Sequence, residues 1–129
     1  MAQNSPSGRE NRDSSMVLFF YKNYCTYVSY TQLQKGGDEK ADSLTKKYCS
    51  EKLYNELKMN DSSDGDPFIN GQIFFPESLK TLVVKADTKN SNQYLVSYLY
   101  NKMDTVRIKV TVVNHRIDTV TDVPAIQHK

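Results

Sequence analysis

The hydrophobic positions of this chain change period about two thirds of the way along it. Near the start, Val17, Phe20, Tyr21, Tyr24, Tyr27, Val28 and Thr31 recur at spacings of three and four, which is one face of an amphipathic helix. Ser14 or Ser15 can cap that helix, and Gly36-Gly37, with Lys35 just before them, can end it, so the pattern predicts a first helix over 15–35. Leu44, Lys47 and Tyr48 share a face in a second helix over 38–49. Ser50 then supplies the cap for a third over 51–59, carrying Leu53, Tyr54 and Leu57.

A turn-rich stretch follows, Asn60 to Gln72, with three aspartates, Pro67 and two glycines. Phe68, Ile69, Ile73, Phe74 and Phe75 lie in or just after it, too apolar for a solvated loop, so the segment is expected to fold back onto the core. Beyond it the period becomes two. Residues 79–86 and 94–100 are rich in β-branched and aromatic side chains. In 106–112, Val106, Ile108, Val110 and Val112 alternate with Arg107, Lys109 and Thr111. Asn114-His115 makes a tight turn into a short strand over 116–120. Short connections between successive strands require an antiparallel meander. Helices first and a sheet after predict an α+β fold, with N-terminal helices packed on one face of a curved, cone-like antiparallel sheet.

With 129 residues the chain has the length of one domain. Residues 1–14 read as a flexible polar leader, 15–122 as the domain and 123–129 as a tail. The net charge is +2 and Lys46-Lys47 is the only adjacent basic pair, so the linear sequence has no basic cluster of the kind a nucleic-acid binder uses, and no nucleic acid is expected as partner. No apolar run is long enough for a transmembrane segment. The leader holds no hydrophobic signal segment and fits two origins: a cytoplasmic start, or the mature end of an exported protein whose signal has been removed. Cys25 and Cys49 are compatible with one disulfide or with two thiols packed as small hydrophobes. Their spacing supports neither metal binding nor redox catalysis.

The order of parts resembles a known group. A tyrosine-rich first helix is followed by Leu44-Thr45-Lys46-Lys47-Tyr48-Cys49, by Asp66-Pro67-Phe68, by Ser78-Leu79-Lys80-Thr81-Leu82-Val83-Val84 and by a closing hairpin. Over residues 15–121 this is similar to a family of small exported bacterial domains of unknown function, within the nuclear-transport-factor-two-like, or cystatin-like, fold superfamily. The resemblance implies a cone-shaped α+β fold and export to the periplasm or cell surface, and no activity. After the Asp66-Pro67-Phe68 motif, Ile73 stands where the family has an acidic residue, so no shared carboxylate site is implied.

Candidate chemistry is sparse. Asp61, Asp64 and Asp66 cluster as calcium ligands do, but an EF-hand register starting at Asn60 puts Gly71 where a bidentate glutamate belongs. Asp66 before Pro67 reads either as a cap and turn former or as a carboxylate at a pocket mouth. Tyr98 shares a strand face with Tyr94, Val96 and Tyr100, and its ring suits either a core or a pocket wall. No nucleophile motif, phosphate loop or paired histidine base is present, so catalysis is not expected, nor is a cofactor or metal. The expected function is therefore a non-catalytic binding module. It would hold a small apolar ligand or a peptide between the first helix and the sheet, with Tyr24, Tyr27, Asp66, Phe68, Phe74 and Tyr98 as pocket candidates. The alternatives are an interaction domain acting through its sheet face, with a homodimer as one form of it, or a lyase or isomerase of the same superfamily.

Overall fold

A computed structural model gives the fold of residues 8–29, 31–32, 35–59, 66–69, 74–100 and 104–123. Three α-helices, α1 (Gly8–Val28), α2 (Gly37–Tyr48) and α3 (Glu51–Met59), precede a 3₁₀ helix (Pro76–Thr81). Four strands follow: β1 (Val83–Ala86), β2 (Gln93–Tyr100), β3 (Asp104–Val113) and β4 (Arg116–Asp122). The strands form one antiparallel meander in chain order. This is the α+β arrangement of helices packed on an antiparallel sheet: α1 lies against β1, the 3₁₀ helix and α2, while α3 packs on β4.

Helix α1 begins and ends earlier than the caps predict. Ser14 and Ser15 lie inside it, and residues 8–14, expected in a flexible leader, are helical. The reason is visible at Asp13. It is buried on the inner stripe with Val17, Phe20, Tyr21, Tyr24 and Cys25, because the β3–β4 turn reaches it. A polar residue there breaks the hydrophobic pattern but not the helix. At the other end, the Ser29 hydroxyl donates to the Thr26 carbonyl at 2.9 Å and Ser29 bridges to Phe74, so the chain leaves the helix after Val28.

Gly36-Gly37 therefore does not end α1 but starts α2. Gly36 occupies the N-cap position at φ 86°, a conformation glycine reaches without strain. At Gly37, a Cβ would collide with the Tyr27 carbonyl oxygen and lie 2.7 Å from that of Gln32. The α2–α3 junction follows expectation: the Leu53 amide donates to the Ser50 hydroxyl at 3.1 Å, capping α3.

The first predicted strand, 79–86, is shortened by the 3₁₀ helix. Pro76 opens that helix, and its Ser78 and Thr81 hydroxyls bond the Leu99 carbonyl and amide at 2.7 and 2.9 Å, closing the end of β2. The remaining pairing follows the alternation. Val84, Val96 and Ile108 stand in one row, and Tyr94, Val110 and Val120 in another, all with side chains toward the helices. Asn114 and His115, both at positive φ, make the two-residue β3–β4 turn. A bulge at Asp118 shifts the β3–β4 register. The expected tail beyond residue 123, the start of the expected leader, and the Asp61 and Asp64 of the acidic cluster lie outside the described residues.

Candidate functional site

The space between α1 and the sheet is lined by side chains that touch one another. Phe68, brought in by the turn after Asp66, is the hub. Its ring centroid lies 5.0 Å from that of Phe20, 4.8 Å from Tyr24 and 6.1 Å from Tyr21, tilted or edge-on in each case. Phe74 packs edge-on against Tyr98 at 5.0 Å. All six rings are at most 8% exposed.

Polar groups thread this aromatic layer. Tyr24 donates its hydroxyl to Asp66 Oδ2 at 2.5 Å, and the Phe68 amide donates to Asp66 Oδ1 at 2.9 Å. Asp66 thus caps the turn that delivers Phe68 while its other oxygen is held by α1. Burial pushes the Asp66 carboxyl above the ordinary aspartate value, against the two hydrogen bonds, which favour the ionised form. Burial, with the nearby carboxylate, pushes the Tyr24 hydroxyl well above the usual tyrosine range. The Tyr98 hydroxyl donates to the Ile69 carbonyl at 2.5 Å, and its pKa also rises, through burial first. The fully buried Tyr21 hydroxyl has no hydrogen-bond partner among the described residues.

Of the six pocket candidates, the structure brings Tyr24, Asp66 and Phe68 into direct contact and places Phe74 on Tyr98 in the same layer. Tyr27 stands apart. It lines an open groove of about 550 Å³ between α1 and α2, with Lys35, Lys40, Leu44 and Lys47, and Lys40 Nζ sits 5.9 Å from its ring centroid. Cys25 and Cys49 are buried free thiols. Burial raises both pKa values, that of Cys49 to about 12 against the opposing charge of Arg116.

One polar constellation was invisible in the sequence. His115 Nδ1 lies 2.9 Å from Asp13 Oδ1, and Arg12 approaches Nε2 at 3.2 Å, although the partners are more than 100 positions apart. With Arg12 donating to Nε2, the neutral ring carries its proton on Nδ1 and gives it to the buried carboxylate. Helix α1 is thereby pinned to the β3–β4 turn. Among the described residues no group of three or more His, Cys, Asp or Glu is placed to hold a metal ion, and no helix is long and apolar enough to cross a membrane.

The far side of the sheet differs in kind. Strand register puts Val83, Lys85, Leu95, Ser97, Leu99, Thr105, Arg107 and Lys109 on the face turned away from α1. Lys85, Leu99, Arg107 and Lys109 are exposed there. The only signal for this face in the sequence was the Arg107-Lys109 alternation, which reads equally as a solvated strand face.

These features define a class: a small α+β domain with an aromatic layer sealed between its first helix and an antiparallel meander, and an open outer sheet face. No family model and no curated protein matches the chain. Two solved structures share the fold. A crystal structure of a protein of unknown function from Bacteroides thetaiotaomicron is 24% identical at a TM-score of 0.66, covering 89% of this chain and 92% of that one. The solution structure of the proposed transfer protein TraH, from the Gram-positive conjugative plasmid pIP501, is 14% identical at a TM-score of 0.55, covering 98% of this chain and 100% of that one.

Proposed function

We propose that this domain is a non-catalytic protein-interaction module that works through the outer face of its sheet. The observation that carries this reading is the filled interior. The place where a ligand would lie between α1 and the sheet is taken up by Phe20, Tyr21, Tyr24, Phe68, Phe74 and Tyr98. Of the large apolar side chains that stay exposed among the described residues, Val83, Leu99 and Val113 share the sheet, while Phe19 on α1 and Met59 on α3 stand apart from it. TraH, which shares the fold, is a proposed transfer protein of a conjugative plasmid. We also read the fold as nuclear-transport-factor-two-like and the protein as exported, on the resemblance of its sequence pattern.

The test is a site-specific photo-crosslinker placed at Leu99 in the producing cell, with Met59 on α3, which is 85% exposed, as the control position. The interaction reading expects a discrete adduct from Leu99 and none from Met59. Adducts of the same size from both positions, or from neither, overturn it.

A second reading, a small ligand between α1 and the sheet, draws on the Tyr21 hydroxyl, which has no partner among the described residues, and on the nearby carboxyl of Asp66. It expects NMR shifts at Tyr24, Phe68 and Phe74 when apolar acids are added.

A further inference from the structure

We infer that the outer sheet face docks an acidic, amphipathic segment of a partner protein, a conclusion that rests on the interaction reading above. Register places Lys85, Leu95 and Lys109 side by side across β1, β2 and β3. At roughly 4.8 Å between strands, the two ammonium-bearing residues flank Leu95 at about 10 Å from each other. The neighbouring row is Val83, Ser97 and Arg107. Arg107 therefore stands about 7 Å along β3 from Lys109. Three cations thus surround an apolar strip of Val83, Leu95 and Leu99.

No carboxylate shares these rows. Asp104 pairs with Tyr100 and Asp122 with Ile108, so both belong to rows of the inner face. Asp118 is the bulge residue and faces Lys52 of α3 at 3.5 Å. Asp87, beyond the end of β1, has Oδ1 accepting from the Lys89 and Asn90 amides at 2.7 and 3.3 Å, which, with the nearby charge of Lys109, holds its carboxyl below the usual aspartate value. The face is therefore predominantly positive around apolar contact area, with Asp87 offsetting part of the charge of Lys109 at one end. Its complement is a segment that alternates carboxylates with apolar side chains.

Two other polyanions fit less well. Single-stranded nucleic acid needs aromatic platforms for its bases, and the tyrosines of β2, Tyr94, Tyr98 and Tyr100, lie in rows on the opposite face. An anionic membrane is held by apolar side chains that insert below the cationic ones. Here Leu95 is half-buried within the sheet.

The test is an NMR titration of the ¹⁵N-labelled protein with four probes: a peptide alternating Glu and Leu, its Lys and Leu counterpart, phosphatidylglycerol vesicles, and a 20-nucleotide single strand. The inference expects the acidic peptide alone to bind, with shifts centred on Lys85, Leu95, Arg107 and Lys109. Affinity should fall about tenfold or more in R107E and in K109E, and also on raising salt, because steering by exposed charge is screened. Both positions are exposed, and unchanged spectra of the free variants verify their fold. Binding only of vesicles or DNA at this face overturns the acidic-segment inference while leaving the face as the interaction surface. Shifts confined to Tyr24, Phe68 and Phe74 overturn the interaction reading as well. Binding of both peptides alike, or of none of the probes, overturns the inference.

Discussion

Tyr24 and Asp66, 42 positions apart, share a 2.5 Å hydrogen bond that ties the middle of α1 to the turn carrying Phe68. The bond joins two groups that burial would otherwise penalise. The carboxylate loses water on entering the fold and recovers acceptor contacts from the Tyr24 hydroxyl and the Phe68 amide. Tyr24→Phe keeps the ring in the aromatic layer and removes only this bond. It should cost about 2 kcal/mol at neutral pH, within the range for a bond to an ionised group, read by urea denaturation.

The same pair sets a pH dependence. The folded Asp66 pKa is raised above the ordinary value of 3.8, so between these values the folded state holds more protons than the unfolded state. Stability from this group is therefore greatest at low pH and declines as pH rises from 3.8 through the folded pKa. Denaturation curves of the native protein and of Asp66→Asn across that window should show the native protein losing ground to the variant as pH rises. In Tyr24→Phe the ionised form loses a donor, so the decline should extend to higher pH.

Two buried tyrosine hydroxyls make opposite predictions. Tyr21→Phe deletes a hydroxyl that has no partner among the described residues, so stability should be unchanged or increase slightly. Tyr98→Phe deletes a donor and leaves the Ile69 carbonyl without that bond, which should cost about 1 kcal/mol. Parallel thermal melts of the two variants check the contrast.

The paired glycines are not equivalent. Gly36→Ala has open space but a φ of 86°, and should cost about 1–2 kcal/mol of backbone strain. Gly37→Ala drives a methyl into the Tyr27 and Gln32 carbonyls, which are backbone and cannot swing aside. It should destabilise more than Gly36→Ala and separate α1 from the start of α2. Comparing urea midpoints and the Tyr27 amide signals tests both.

Cys25 and Cys49 are each about 1% exposed, and burial holds both in the thiol form at neutral pH. A thiol-reactive dye should label neither in the native protein and both in urea. Labelling of one cysteine in the folded state would reveal local opening at that position.

Much of the architecture could be read from periodicity. Leu53 and Ser50 marked α3 and its cap, and Val106 to Val112 marked β3 down to which residues face the helices. The start of α1 was not legible, because Asp13 looks like a solvent residue until His115 comes to meet it. Nor was the 3₁₀ helix, whose Leu79 and Leu82 share the composition of a strand. Ser78 and Thr81 place it by bonding Leu99, a partner the local sequence does not reveal. Among the site candidates, Tyr24 and Tyr27 looked alike on paper, both on the apolar face of one helix. Packing separated them, sending Tyr24 to Asp66 and Tyr27 to the groove beside Lys40.

Local periodicity was enough for the α+β class, for helices ahead of a meander and for the inward faces of β2 and β3, because helix and strand periods are local and a one-residue slip would expose a whole hydrophobic row. What fills the space under α1, which polar groups meet there, and how Lys85, Arg107 and Lys109 come to share one surface were set by long-range packing. Those outcomes depend on contacts between distant segments, whose pairing is set by the packing of the whole core and leaves no mark within any one window of the chain.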